Sequence, residues 1–251
     1  MQLKVNNGDI GFGTNVKDIE VPKALRRKVR SGLTYFDDAM GGEGFTPSVV
    51  TLFTGTPGAG KTTMMLKLAD SLTGSGALCV FNTAEESMYQ VRMVTERIGV
   101  RHGFAIGSET HVPTLLEKCD KLRNAPENKG KDFFLIVDSL QCMDDGKYKD
   151  GGINSKTPER VLQQLTEYCK EHLVNAIVIG QVNKSGQMAG TQKLKHMIDA
   201  HLHLSVEEKD EQLIGCRVLE TLKNRFGSAG SAFFLKIGDS GFREVGRYTA
   251  L

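Results

Sequence analysis

The chain has no tryptophan, and it is sparing with proline and cysteine, at 6 and 5 among 251 residues. Cys79, Cys119, Cys142, Cys169 and Cys216 are scattered, odd in number and never in C-x-x-C spacing. That pattern excludes a complete disulfide framework and a four-cysteine zinc site, and it points to a reducing, cytoplasmic setting. No apolar run is long enough to span a bilayer, and the N-terminus lacks a signal-peptide hydrophobic stretch, so no membrane association is expected. The formal net charge of +2 does not announce a polyanion binder, so any basic surface must be local. Hydrophobic content of 39% and charged content of 25% are ordinary for a globular chain, and the length suits one large α/β domain.

What the sequence does contain is a complete G-x-x-x-x-G-K-[ST] match: Gly55, Thr56, Pro57, Gly58, Ala59, Gly60, Lys61 and Thr62, followed by Thr63. This is the phosphate-cradling loop of P-loop nucleotidases. Its glycines let backbone N–H groups approach phosphate oxygens and adopt dihedrals closed to larger residues. Lys61 offers a cation to the β- and γ-phosphates, and the Thr62 hydroxyl is a ligand for Mg²⁺. Val49–Thr54 reads as a buried strand before the loop, and Thr63–Ala69 as a helix after it. That helix would aim its positive end at the phosphates. A nucleoside triphosphate and Mg²⁺ are the implied ligands.

Before this loop, residues 1–30 are polar and irregular and end in Lys23, Arg26, Arg27, Lys28 and Arg30, an arm or linker ahead of a domain over 31–251. Two readings stand for the arm: solvated, or packed on a neighbouring subunit. Ser31–Met40 then reads as a short capped helix closed by Gly41 and Gly42.

After the loop, strand and helix patterns alternate. Ala77–Asn82 is an apolar strand running into Glu85 and Glu86. Carboxylates at a strand's C-terminal end sit where open parallel sheets bind ligands, and one there can activate water. An acidic first turn of the next helix explains the pair equally well. A short strand near Phe104–Ile106 and a helix from about Val112 to Arg123 follow. Phe133–Val137 is uninterrupted and apolar, suited to a central parallel strand. Asp138 at its tip stands where P-loop enzymes hold the Mg²⁺ shell, or else caps the following turn. Residues 141–156 carry no periodicity and read as a mobile loop, with Pro158 opening the next helix.

Asn175–Gly180 is a further strand, ending at Gln181. The loop beyond it carries Lys184, Lys193 and Lys195, with no acid before Asp199. It suits the grip of a nucleic-acid backbone or a solvated connection. His201–Val206, Cys216–Leu222 and Ala232–Ile237 read as antiparallel additions at the sheet edge, with His201 and His203 as ordinary strand residues.

Together, GTPGAGKT, the strand into AEES, FFLIVDS, GQVNKSGQMAG followed by HMID, and Lys223-Asn224-Arg225-Phe226-Gly227 resemble the RecA-like ATPases, and among them the RadA/Sms family. The resemblance covers roughly residues 30–247. It implies a RecA-like P-loop fold, a mainly parallel sheet flanked by helices with antiparallel C-terminal edge strands. It implies Glu85 as the water-activating base, Asp138 as the Walker B carboxylate and Gln181 as a γ-phosphate sensor. It implies Lys223 and Arg225 as cations reaching a neighbour's γ-phosphate, where charge develops in transfer. It places two DNA-binding loops at about 141–157, with Lys147, Lys149 and Lys156, and at about 182–192. RadA/Sms proteins usually begin with a four-cysteine zinc finger and end in a Lon-protease-like domain, neither of which this sequence shows, so a core-only relative is expected. Gly180-Gln181 stands where the family has glycine-histidine.

The expectation is therefore a DNA-dependent ATPase, a ring-forming and hexameric helicase or branch-migration motor on single-stranded DNA. It would serve recombination, repair or replication, with a recombinase as a further partner. A DnaB-type replicative helicase, a KaiC-like regulatory ATPase that binds no DNA, and a nucleotide-binding structural subunit are the rivals.

Overall fold

The computed structural model describes residues 10–181, 194, 196–238 and 241–249. The chain first enters the core at Val29, which pairs with Phe45 in an isolated antiparallel bridge. Ahead of it lies a short helix, α1 (Lys23–Arg26), and after it α2 (Thr34–Ala39). No side chain caps α2, although it read as a capped helix; the Ser31 hydroxyl instead accepts from the N–H of Leu33, the N-cap residue itself.

The remaining elements run β1 (Val50–Gly55), α3 (Lys61–Gly74), β2 (Leu78–Thr83), α4 (Met88–Arg97), β3 (Ala105–Gly107), α5 (Val112–Arg123), β4 (Phe133–Asp138), α6 (Thr157–His172), β5 (Asn175–Ile179), β6 (Ala200–Val206), β7 (Arg217–Asn224), β8 (Ala232–Gly238) and β9 (Gly241–Tyr248). They form a 9-stranded sheet in the order β3-β2-β4-β5-β1-β6-β7-β8-β9. Neighbours from β3 to β6 are parallel, and β7, β8 and β9 continue antiparallel.

The period-two alternation of the central strands feeds two cores. Phe53, Phe81, Phe134, Ile136 and Ile177 pack under α3, against Met64, Leu68 and Leu72. Leu52, Leu135, Val137 and Val178 face the other way, against Leu115 of α5 and Val161, Leu162 and Leu165 of α6. Each of these side chains, fully buried, contributes roughly 1.5–3 kcal/mol of transfer free energy. β1, β4 and β5 are covered on both faces and show no exposed position, which is why apolar residues dominate them. A Schellman closure ends α3: Gly76, at φ 93°, donates to Thr73 O, and the Ala77 N–H donates to Leu72 O.

Besides the missing cap of α2, three expectations change. His201–Val206 is not an antiparallel addition: β6 lies parallel to β1, so the parallel block runs one strand further. β9 was not foreseen, because an outermost strand with an exposed face needs little apolar sequence. The loop expected at 141–156 begins packed, with Met143, Asp144 and Asp145 buried, the Asp144 N–H on Thr110 O at 2.8 Å and Asp145 paired with Arg160. No helix among the described residues is long and apolar enough to cross a membrane.

Candidate active site

The strand order places the C-terminal ends of β2, β4, β5 and β1 side by side. In an open parallel sheet this is where a ligand crevice forms. A cavity of about 470 Å³ opens there, lined by Gly58, Lys61, Thr62, Glu85, Asp138 and Gln181 among others. Sequence-distant residues thus meet because each follows, or ends, one of these adjacent strands.

The loop between β1 and α3 is shaped by its glycines. A Cβ on Gly55 would lie 2.2 Å from Leu204 O, too close for any other residue. Gly60, at φ 97°, is the N-cap residue of α3 and supplies no side-chain cap. The helix therefore presents unpaired first-turn N–H groups and its positive end to the cavity, the arrangement an anion needs. Lys61 Nζ donates to Gly55 O at 3.0 Å and Thr56 O at 3.2 Å, carbonyls of the loop itself. Burial lowers the Lys61 pKa, and the nearby Asp138 and Glu85 carboxylates partly offset this.

Thr62 Oγ1 donates to Asp138 Oδ2 at 2.7 Å. A hydroxyl and a carboxylate oxygen so close make a hard-oxygen pair that fits Mg²⁺. Burial raises the Asp138 pKa to about 6; Glu85 and Glu86 add to the rise, while the Thr62 hydrogen bond and Lys61 oppose it.

Glu85 and Glu86 precede α4 rather than occupying its first turn. Ser87 is the N-cap, closing a reciprocal capping box with Gln90. The acidic-first-turn alternative is therefore removed. Glu86 is exposed, its backbone tied to the Thr83 hydroxyl. Glu85 turns toward the cavity, where its Oε1 accepts from Ser139 Oγ, from Gln181 Nε2 at 2.5 Å and from Cys142 Sγ at 3.5 Å. No sequence pattern marks Cys142 as a partner of Glu85; for Ser139 the signal is the Asp138-Ser139 dipeptide at the end of β4.

Lys223 and Arg225 lie elsewhere. Lys223 pairs in register with His201, and the Arg225 N–H donates to Asp199 O, whose own N–H donates to Val50 O. Arg225 is thus level with Val50, the far end of the strand that leads to Gly55, a separation of roughly 16 Å at the rise of an extended strand. Its guanidinium donates to the fully buried Asp199 carboxylate at 2.8 Å yet stays half-exposed. Lys223 Nζ donates to Ile198 O at 2.7 Å. Asp199, another residue whose role was not foreseen, also accepts from the Val50 N–H at 3.2 Å.

His201 and His203 both approach Thr54 Oγ1 in β1, at 2.8 and 2.9 Å, beneath the phosphate loop. Lys147, Lys149 and Lys156 are exposed on the segment before α6. Lys184, Lys193 and Lys195 lie outside the described residues.

Residues 29–105 match the family described as "ATPase: KaiC". The chain is 29% identical over 224 residues to DNA repair protein RadA of Aquifex aeolicus (strain VF5), which takes in 89% of this chain and 47% of that protein. It therefore spans about half the length of the curated relatives it matches. Among solved structures, KaiC-like protein PH0186 from Pyrococcus horikoshii OT3 aligns at a TM-score of 0.69 with 22% identity, over 88% of this chain and 99% of that one. A second solved ATPase domain aligns at a TM-score of 0.73 with 16% identity, over 89% of this chain and 93% of that one. Fold, phosphate loop and relatives agree that the chain carries a KaiC-like, RecA-fold ATPase domain.

Proposed function

We propose that this chain is the ATP-hydrolysing motor of a DNA-processing assembly, a ring of copies, six in number, acting on single-stranded DNA in repair, recombination or replication. The observation that carries the reading is the division of the site. Lys61, Thr62, Glu85, Asp138 and Gln181 meet in one cavity, whereas Lys223 and Arg225 stand at the other end of the sheet, out of reach of their own phosphate loop. A neighbouring copy would bring that second half.

In this reading Thr62 and Asp138 hold Mg²⁺, which when bound neutralises charge on the β- and γ-phosphates. Lys61 rotates from its own loop carbonyls to the phosphate oxygens. Glu85 takes a proton from the water whose oxygen attacks the γ-phosphorus as the bond to the β-phosphate oxygen breaks. Gln181, joined to Glu85 and opening the second predicted DNA loop, links the state of the phosphate to that loop. Lys147, Lys149 and Lys156 meet the DNA backbone from the first loop, and Lys184, Lys193 and Lys195 from the second. The similarity to proteins named DNA repair protein RadA supports DNA as the partner.

The match over 29–105 to the KaiC description favours a second reading, a regulatory ATPase indifferent to DNA. ATP turnover measured with and without single-stranded DNA separates the two. The motor reading expects stimulation that saturates with DNA; equal rates, with no DNA binding at low salt, would leave the regulatory reading.

A further inference from the structure

Gln141 has no part in the arrangement above, yet its side chain makes an unusual pair of contacts. Its Oε1 accepts from the Gln181 N–H at 3.1 Å, and its Nε2 donates to the Gln181 carbonyl at 3.4 Å. A primary amide facing a backbone in this way offers the donor and acceptor that a neighbouring strand would offer.

The reason lies in the ladder between β4 and β5. Their paired positions end at Asp138 opposite Ile179. Beyond Asp138 the chain leaves the sheet, folding into a 3₁₀ turn over Leu140–Cys142 with Leu140 buried. The backbone of Gln181 thereby loses the strand that would have paired with it. Gln141, held in that turn, returns its amide to the vacated place and adds one rung. Gln181 stays beside the turn, and its own side chain reaches Glu85 Oε1 at 2.5 Å. From the same turn Cys142 Sγ, and from just before it Ser139 Oγ, meet the same carboxylate oxygen.

We infer that Gln141 is a positioning residue for hydrolysis: by completing the β4–β5 ladder at Gln181 it fixes the Gln181 amide against Glu85, the proposed base. The inference rests on the assignment of Glu85 above. It concerns orientation and not nucleotide binding, because among the described residues the Gln141 amide bonds to Gln181 and not to the phosphate loop. A misplacement of this kind costs rate without costing affinity.

The test is a double-mutant cycle on the intact chain with Gln141→Met, Gln181→Met and the pair, in steady-state ATP turnover. Methionine keeps the length of the side chain and removes the amide. The expected result is that Gln141→Met lowers kcat about tenfold or more while KM for ATP and the thermal midpoint stay near the parent's. The double variant should then be no slower than Gln181→Met alone, since the first residue acts only through the second. Parental kcat in Gln141→Met, or losses that multiply in the pair, would overturn the inference. If Gln141→Met should fail to fold, Gln141→Glu gives the same comparison, because it keeps an acceptor for the Gln181 N–H and loses the donor. Glu85→Gln, assayed alongside, distinguishes the two failures. Parental turnover there refutes the base assignment itself, whereas an inactive Glu85→Gln with an unaltered Gln141→Met refutes only the positioning role.

Discussion

Thr62 and Asp138, separated by 76 positions in sequence, share a hydrogen bond of 2.7 Å at the mouth of the candidate site. One residue lies in the first turn of α3 and the other ends β4, so the bond exists only because the sheet sets β1 and β4 two places apart with β5 between them. The geometry that joins them also sets their chemistry. Asp138 is almost fully buried beside Glu85 and Glu86, and its carboxylate is charged at a cost.

That cost has a pH signature. The Asp138 pKa rises from 3.8 in the unfolded chain to about 6 in the folded one. The folded state therefore holds this proton more tightly, and stability is lost as pH rises from about 4 through 6. Without Mg²⁺, Asp138→Asn should be more stable than the parent at pH 7.5 by on the order of 3 kcal/mol, and the gain should vanish below pH 4. Denaturant unfolding at both pH values measures this. The same variant should lose ATP turnover, because the hard-oxygen pair for Mg²⁺ is gone.

Glu85→Gln should bind ATP about as well as the parent and hydrolyse it roughly 100- to 10,000-fold more slowly, the usual contribution of a positioned base. The amide can still meet Ser139 and Gln181, so the fold should be unaffected. Fluorescent-nucleotide binding and phosphate release, measured on one preparation, check both halves.

Under the proposed reading, a triple change of Lys147, Lys149 and Lys156 to alanine should weaken single-stranded DNA binding across sequences. The dependence of log K on log salt should become shallower by about 2, at roughly 0.7 for each phosphate that a lysine no longer neutralises on a single strand. An unchanged slope would show that this segment does not meet the phosphate backbone. All three side chains are exposed, so ATP turnover without DNA should not change.

Much of the site was legible because its residues carry their chemistry in short motifs. The phosphate loop and the apolar run ending in Asp138 each follow from local pattern, and burial on both faces leaves a plain signature in β1, β4 and β5. Periodicity alone cannot decide how strands pair, which is why β6 read as antiparallel although it lies beside β1. The role of Asp199 was hidden because it depends on β6 and β7 coming together at its level. Glu85 was ambiguous for a different reason: only the position of the Ser87 cap shows that the acids precede α4. Side-chain relays such as Gln141 to Gln181, 40 positions apart, leave no trace in the sequence.

If one copy holds only half of the site, as proposed, two differently broken copies should repair each other. Lys61→Ala and Arg225→Gln proteins, each inactive alone, should regain turnover when mixed, because some interfaces then join an intact phosphate loop to an intact Arg225. Glutamine at 225 keeps an N–H donor for the buried Asp199, so the fold is spared while the charge is removed. The measurement is ATP turnover across mixing ratios. Activity that is absent at either extreme and peaks near equal amounts is the predicted result; a mixture as inactive as its parts would contradict a site shared between subunits.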